Sequence, residues 1–392
     1  MANVATDTRK TCLQIVPSLV TGGVERGTVD VAQALVRAGW RAMVASSGGG
    51  MVRELERAGA EHIVLPLDTK NPRAMKRNTA SLVELIRAQN VSLVHARSRA
   101  PGWSAHAAAK ETGVPFVTTF HGVYGAGPFG LKKLYNRVMT YGEPVIAISD
   151  FIRTHMIEEY KVAPERIRVI HRGVDVQMLD PTKVTPTRLI QLTAKWHLPE
   201  TAPVIMLPGR LTSWKGHYLM IDALAVLKAR AQGPFDLRCL MVGQDQGREA
   251  YKHSLQTYAA SRGVEGNIQV IEDCTDLPAA YLATDVVVSA STRPEAFGRV
   301  VAEGQAMGRP VVAPSHGAAG EIIVPGVTGW LFTPSDPVSM ADALTRALSL
   351  NKDERERIAA LAIARVRKHF NKADMCAKTI DVYNEALARP AP

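Results

Sequence analysis

The stretch "DVVVSASTRPEAFGRVVAEGQAMGRPVVAP" (residues 285–314) holds two valine-rich runs separated by a loop and a helix-like segment. Short apolar runs of this kind are typical of buried strands. The segment 298–308 between them has the length and residue types of a helix. A strand, a helix and a second strand in succession imply a parallel sheet with helices on its faces.

The same alternation fills most of the 392-residue chain, in two series. The first series has strand candidates at 12–19, 41–47, 61–67, 91–96, 115–122, 144–149 and 167–173. After a polar, proline-containing segment, the second series has strand candidates at 203–211, 237–243, 267–273, 285–291 and 309–314. The sequence therefore predicts an α/β fold with two Rossmann-like, doubly wound domains.

The domain boundaries follow from the polar segment at 176–202. We expect the domains to contain residues 1–185 and 195–373 and to face each other across a cleft. Two helices are predicted at 353–370 and 373–388.

The composition is that of a globular protein, with 46% hydrophobic and 21% charged residues. No apolar run approaches the roughly 20 residues needed to cross a bilayer, and the first ten residues lack the apolar core of a secretory signal. The four cysteines form no CxxC pair, which argues against a disulfide framework or a zinc site. These features predict a protein of the cytoplasm.

The net charge of +10 is unevenly distributed. Residues 1–190 contain 25 Lys and Arg against 16 Asp and Glu, whereas residues 191–392 contain 22 against 21. A basic N-terminal half favours an anionic partner, which is a nucleic acid, a membrane surface or an acidic substrate; a basic domain that is simply solvated is the alternative. No aromatic and basic recognition pattern supports a nucleic acid.

A basic helix is predicted at 128–142, "PFGLKKLYNRVMTYG", where apolar residues accompany Lys132, Lys133 and Arg137. Such a helix lies on an anionic membrane or packs against the core with a cationic outer face. The charge of the N-terminal half favours the membrane.

Three common nucleotide and metal motifs are absent: the Walker A loop, HExxH and a DxD pair. Metal-dependent phosphate chemistry is therefore disfavoured. In "TGGVER", Gly22 and Gly23 lie at a strand–helix junction, where they allow close approach of an anion or serve a tight turn. In "PGRLTSWKG", Arg210 and Lys215 clamp a diphosphate or are solvated loop cations.

The opening stretch adds two carboxylates, Glu295 in the loop and Glu303 in the helix. The residue types alone are compatible with three interpretations: an acid/base pair, a metal site or two surface charges. The helix begins near Gly298, so the N–H groups of its first turn offer a seat for an anion. His121, at the end of the strand candidate 115–122, is either a binding-site or a structural histidine.

The segments "GRLTSWKG", "RPEAFGRVVAEGQAMGRPVVAP" and "GVTGWLF", in this order and spacing, resemble the C-terminal domain of retaining glycosyltransferase family 4, which has the GT-B fold. "TGGVER", "TFHG", "AISDFIR" and "RGVD" match N-terminal landmarks of that family, so the resemblance spans nearly the whole chain. It implies that the helix from residue 374 onward packs back on the N-terminal domain.

The resemblance also implies a role for each candidate. Arg210 and Lys215 would bind the donor diphosphate and stabilise the leaving group, Glu295 and His121 would contact the transferred sugar, and Glu303 would hold the ribose. Backbone N–H groups of Phe297, Gly298, Arg299 and Val300 would meet the diphosphate. Gly22 and Gly23 would lie near the donor diphosphate and the acceptor. Fixed cations and a helix N-terminus can stabilise a departing diphosphate, so we expect no metal and no cofactor besides the donor.

The resemblance therefore predicts transfer of a hexose, with retention, from GDP-mannose or a UDP-sugar. The expected acceptor is anionic, lipid-linked or a lipopolysaccharide core, with peripheral contact to the cytoplasmic face of the inner membrane and no nucleic acid. The alternatives are a nucleotide-sugar 2-epimerase of the same fold and a non-catalytic scaffold at the membrane.

Overall fold

The computed structural model describes residues 9–20, 22–125, 127, 130–245 and 247–389. The chain divides into two compact units, of which unit 1 contains residues 1–171 and 372–392 and unit 2 contains residues 172–371. Unit 1 is therefore assembled from two separate parts of the chain.

Unit 1 is built on a seven-stranded sheet in which all neighbouring strands are parallel. The strands are β1 (Thr11–Ile15), β2 (Arg41–Ser46), β3 (Glu61–Val64), β4 (Leu93–Ala96), β5 (Phe116–Phe120), β6 (Val145–Ala147) and β7 (Ile167–Val169). Their order is β3-β2-β1-β4-β5-β6-β7, so the direction of winding reverses between β1 and β4. Strands β1, β4, β5 and β6 are fully buried, because helices cover both faces.

Within the described part of unit 1, six helices precede residue 172. They are α1 (Gly23–Arg37), α2 (Val52–Arg57), α3 (Pro72–Ala88), α4 (Arg99–Thr112), α5 (Leu131–Asn136) and α6 (Asp150–Tyr160). Helix α1 packs its apolar stripe, which includes Val29, Val31 and Leu35, into a core shared with β1 and β2.

Unit 2 is built on a six-stranded sheet that is also entirely parallel. Its strands are β8 (Val204–Pro208), β9 (Arg238–Val242), β10 (Ile268–Ile271), β11 (Val286–Val288), β12 (Val311–Pro314) and β13 (Trp330–Phe332). Their order is β10-β9-β8-β11-β12-β13, and the winding reverses between β8 and β11.

Among the residues that the structure describes from 172 onward, eight helices belong to unit 2 and one more belongs to unit 1. They are α7 (Pro186–Lys195), α8 (His217–Arg230), α9 (Glu249–Ser261), α10 (Leu277–Leu282), α11 (Arg299–Ala306), α12 (Ala319–Ile322), α13 (Pro337–Leu348), α14 (Lys352–His369) and, in unit 1, α15 (Lys372–Ala388). The fully buried Tyr383 of α15 lies in the same core cluster as Cys12 of β1, and its hydroxyl is 2.6 Å from Nδ1 of His95.

Several helices begin at a side chain that satisfies the first-turn N–H groups. The side chains of Asn71, Ser149 and Asp336 accept such hydrogen bonds at α3, α6 and α13. Asn351 and Glu354 form a reciprocal capping box at α14. The bounds of these helices are therefore set locally by the sequence.

All twelve strand candidates overlap a strand of the structure, and the predicted helices 353–370 and 373–388 correspond to α14 and α15. The helix predicted at 128–142 is wrong in its extent. Residues 128 and 129 lie outside the described residues, α5 ends at Asn136, and a 3-10 turn follows over Arg137–Thr140. Among the described residues, no helix combines the length and apolar character that a membrane span requires.

Candidate active site

The loops that follow β8 and β11 lie side by side at one edge of the unit 2 sheet, because these two strands are neighbours and parallel. The winding of the sheet reverses between them. In open α/β sheets, ligands bind at the carboxyl ends of the strands at such a position. The predicted site residues of the second series are in or directly after these two loops.

The two loops are joined by an ion pair between two predicted site residues. Nζ of Lys215 lies 2.7 Å from Oε1 of Glu295, and their side chains are only 14% and 20% exposed. The same carboxylate oxygen accepts a hydrogen bond from the hydroxyl of Ser291. The ammonium group also lies over the ring of Trp214, 4.5 Å from its centroid. A mostly buried cation and anion are thus held together at the position where the winding of the sheet reverses.

The backbone fixes Glu295 from both sides. The N–H of Thr292 donates to the carbonyl of Trp214 at 2.8 Å, which ties the β11 loop to the β8 loop. The N–H of Ala318, in the loop after β12, donates to the carbonyl of Glu295 at 3.0 Å. Gly317 has a φ of 63°, and a Cβ there would lie 2.4 Å from the carbonyl oxygen of Glu295. Only glycine fits this approach.

Arg210 is an exposed cation on the β8 loop. In the part of the chain that the structure describes, its guanidinium has no hydrogen bond or ion pair. An arginine in this state can bind a phosphate through two parallel N–H donors without first breaking another contact.

Helix α11 begins without a capping side chain, in contrast to α3, α6, α13 and α14. Its N-cap is Gly298, whose φ of 90° lies in the left-handed region that favours glycine. The first-turn N–H groups of Arg299 and Val300 have no acceptors within the helix. Phe297 is buried against Phe370, with ring centroids 5.8 Å apart, and anchors the turn. The turn can therefore accept an anion.

Glu303 is engaged with different partners from Glu295. It is 6% exposed, and its carboxylate accepts hydrogen bonds from the hydroxyl of Tyr281 at 2.8 Å and from Nη2 of Arg299 at 2.7 Å. Burial raises the pKa of the Tyr281 phenol well above its usual value, so Tyr281 remains a donor at neutral pH. The structure thus separates the two glutamates, and they share no partner among these contacts.

The remaining predicted site residues, His121, Gly22 and Gly23, belong to unit 1. His121 directly follows β5 and is half-buried. Gly22 is the N-cap of α1, and Gly23 is its first residue. Each lies beyond the carboxyl end of a parallel strand, which is where the sequence pattern predicts it.

Sequence reasoning missed the residues that support the site. Ser291 lies in the stretch 285–314 and Trp214 in "PGRLTSWKG", but neither side chain is charged, so the sequence did not indicate a role for them. Tyr281 lies on α10, and no local pattern relates it to Glu303. Gln305 is fully buried and donates from Nε2 to Oγ1 of Thr328 at 2.9 Å, which fixes the segment "GVTGWLF" to α11.

Comparison with known proteins identifies the family. The family model described as Glycosyltransferase Family 4 matches residues 21–178, and the one described as Glycosyl transferases group 1 matches residues 190–365. The chain is 31% identical over 312 residues to the D-inositol 3-phosphate glycosyltransferase of Xylanimonas cellulosilytica, covering 76% of this chain and 72% of that one. The chain belongs to glycosyltransferase family 4. It is a glycosyltransferase, as the resemblance implied.

Solved structures confirm the fold of this family 4 glycosyltransferase. A glycosyltransferase from Rickettsia africae ESF-5 is 38% identical, with a TM-score of 0.89 over 98% of this chain and 100% of that one. Anabaena HepE, solved in complex with UDP, is 24% identical, with a TM-score of 0.82 over 96% of this chain and 100% of that one. The fold is GT-B, as predicted.

Proposed function

We propose that this glycosyltransferase moves a hexose from a nucleoside-diphosphate sugar, GDP-mannose or a UDP-sugar, to an anionic acceptor, with retention at the anomeric carbon and without a metal ion. The observation that carries this proposal is the pairing of Lys215 with Glu295 between the β8 and β11 loops. This pairing supports the proposal because it brings together a cation that would bind the diphosphate and a carboxylate that would bind the sugar hydroxyls.

The diphosphate would be bound by Arg210, Lys215 and the N-terminus of α11. Lys215 has three N–H donors, so it can keep its bond to Glu295 while it donates to a phosphoryl oxygen. Arg210 brings a free guanidinium fork, and the uncapped first turn of α11 brings backbone N–H groups. These positive groups are in place before negative charge develops on the leaving phosphate, which lowers the barrier without a metal.

The sugar and the ribose would be held by the two glutamates. Glu295 retains lone pairs on its carboxylate after binding Lys215 and Ser291, and it can accept bonds from sugar hydroxyls. Glu303 is oriented by Tyr281 and Arg299 and would accept from the ribose hydroxyls. In unit 1, we assign the family roles to His121, which would contact the sugar, and to Gly22 and Gly23, which would adjoin the diphosphate and the acceptor.

Retention fits the state of Glu295. Its carboxylate is neutralised by Lys215, which makes it a poor covalent nucleophile. We therefore propose a front-face reaction, in which the acceptor oxygen bonds to the anomeric carbon while the bond from that carbon to the phosphate oxygen breaks. The proton of the acceptor hydroxyl passes to the leaving phosphate.

Two classes of anionic acceptor are supported by different observations. The basic N-terminal half supports a lipid-linked or lipopolysaccharide-core acceptor at the cytoplasmic face of the inner membrane. The relatives named D-inositol 3-phosphate glycosyltransferase support a phosphorylated inositol instead. Either acceptor carries negative charge that a basic unit attracts.

A membrane contact would use helix α5. Leu131 and Leu134, one helical turn apart, are 70% and 61% exposed, and Lys132 beside them is also exposed. Exposed leucines next to a lysine suit insertion at the headgroup level of an anionic bilayer. Val138 and Met139, which belong to the predicted helix, are buried in the core and cannot contribute.

The test is a donor and acceptor screen. Release of UDP or GDP is measured for a panel of nucleotide sugars, alone, with membrane extract and with inositol 3-phosphate, each with and without EDTA. The proposal expects release that needs one of the two acceptors, resists EDTA and yields a product with the donor's anomeric configuration by NMR. Interconversion of the sugar without acceptor would indicate the epimerase, and binding without turnover would indicate the scaffold.

A further inference from the structure

His316 lies in the loop after β12, two residues beyond Pro314, and no motif of the sequence pointed to it. Its side chain borders a hollow whose wall includes Ser289, Glu295, Phe297, Gly298 and Pro314. The hollow is therefore formed by the loop after β11, the start of α11 and the loop after β12.

Both ring nitrogens of His316 are buried and have no hydrogen-bond partner among the described residues. A neutral imidazole has one N–H donor and one acceptor nitrogen, so two hydrogen-bonding positions are unfilled. Leaving a buried polar group unpaired is unfavourable. An arrangement of this kind is expected where a ligand or a bound water supplies the missing partner.

The hollow suits an oxygen atom of a phosphoryl group. Its volume is about 10 Å³, which admits one water-sized group but not a sugar ring. Gly298 in its wall is the uncapped N-cap of α11, where an anion is favoured. The carboxylate of Glu295 also lies in the wall. Its repulsion of a bound anion is reduced, because Lys215 forms an ion pair with it.

The position of His316 is fixed by its neighbours. Its own N–H donates to the carbonyl of Pro314 at 2.9 Å. The next residues, Gly317 and Ala318, contact the backbone of Glu295, and Ala318 donates to the Glu295 carbonyl. The imidazole is thus held on the same scaffold as the carboxylate assigned to the sugar.

We infer that His316 donates a hydrogen bond to the phosphoryl group that carries the transferred sugar, between the sugar contact at Glu295 and the start of α11. The inference rests on the proposed function, because it requires the donor diphosphate at α11. It adds a residue that binds the second phosphate of the donor, which is the phosphate bonded to the transferred sugar.

The experiment compares nucleoside diphosphates with nucleoside monophosphates. Affinities of the full chain for UDP, UMP, GDP and GMP are measured by calorimetry for the wild type and for His316→Phe, His316→Gln and His316→Asn. Phenylalanine keeps the ring volume and removes both nitrogens, whereas the two amides place an N–H near Nε2 or Nδ1. His253→Gln, an exposed histidine on α9, is the control.

We expect His316→Phe to weaken diphosphate binding about tenfold and to leave monophosphate binding unchanged, with at least one amide variant restoring much of the loss. An unchanged ratio of diphosphate to monophosphate affinity in His316→Phe would overturn the inference. The ring nitrogens of His316 would then be assigned to hydrogen bonds with a bound water. If the wild type binds none of the four nucleotides, the proposed function fails, and the inference with it.

A second readout does not depend on the folding of a variant. In wild-type protein with ¹⁵N-labelled histidine, the ring signal of His316, assigned from its loss in His316→Gln or His316→Asn, should shift with the diphosphate and not with the monophosphate. Equal shifts with both nucleotides would contradict contact with the second phosphate.

Discussion

Lys215 and Glu295 are 80 positions apart in the chain, yet Nζ and Oε1 lie 2.7 Å from each other between two neighbouring parallel strands. Under the proposed function, each residue would bind a ligand in addition to its partner. The ion pair holds the ammonium group of the lysine at the sheet edge and places a positive charge next to the carboxylate.

Replacing Lys215 with alanine should lower kcat strongly, by about 10²- to 10³-fold, because its charge matters most when the diphosphate departs. Nucleotide release under saturating donor measures this effect. Lys252→Ala is the matched control, since Lys252 also pairs with a carboxylate, Glu272, in unit 2. Turnover at the wild-type rate in Lys215→Ala would remove the role assigned to it.

The ion pair also predicts non-additive stability. Lys215→Met and Glu295→Gln should each lower the free energy of unfolding, because each leaves a mostly buried partner without its counter-charge. The double variant should recover part of the loss, with a coupling of about 0.5–3 kcal/mol in a denaturant-unfolding cycle. Simple addition of the two losses would show that the pair is not coupled in solution.

Tyr281 should affect the binding of the nucleotide sugar without contacting the reacting atoms. In Tyr281→Phe, the Glu303 carboxylate loses one of its two donors, so we expect KM for the nucleotide sugar to rise about 3- to 10-fold, while kcat changes little. Tyr258→Phe is the comparison, because its hydroxyl also bonds a carboxylate, Asp222, at 2.8 Å. A fall in kcat with unchanged KM would exclude this positioning role.

Stability should fall below neutral pH because of a histidine next to the site. Burial lowers the pKa of His217 to about 4 from its usual value near 6.5. Between these two values the unfolded chain binds a proton that the folded chain does not, so the free energy of unfolding decreases as pH falls, by up to about 1.4 kcal/mol per pH unit.

Urea unfolding from pH 7 to 4.5 measures this slope in the wild type and in His217→Gln. In His217→Gln, the free energy of unfolding should depend less steeply on pH, because the contribution of one proton is missing. His95, whose pKa burial also lowers, is present in both proteins and does not affect the difference. Equal slopes would mean that the pKa of His217 is the same in the folded and the unfolded chain.

Helix α5 should determine membrane binding if the acceptor is a lipid. Leu131→Ser with Leu134→Ser should weaken binding to anionic vesicles at least tenfold, since each buried leucine contributes about 1.5–3 kcal/mol. Ile190→Ser, a comparably exposed residue of unit 2, should have no effect. Binding is measured by co-sedimentation with vesicles. Equal binding of the double leucine variant and Ile190→Ser would show that α5 is not the membrane contact.

Periodicity located the strands and the closing helices because parallel strands buried on both faces read as short apolar runs. The same logic placed Lys215 and Glu295 in loops at one sheet edge. It could not show that they bind each other, since this depends on β8 and β11 being neighbours. The break after Asn136 was missed because Val138 and Met139 are apolar at helical spacing, while the structure turns them into the core over a 3-10 turn. Neither Tyr281 nor His316 has a local sequence signal, because their roles arise only from the packing of distant segments.

The return of α15 to unit 1 sets an order of events during synthesis. Tyr383 belongs to the same core as Cys12, so the core of the first unit cannot be complete before α15 has been synthesised. Unit 2, which is one continuous segment, has all its residues earlier. The N-terminal unit of this enzyme is therefore translated first but completed after unit 2, and removal of α15 would damage the N-terminal unit rather than the unit next to α15 in sequence.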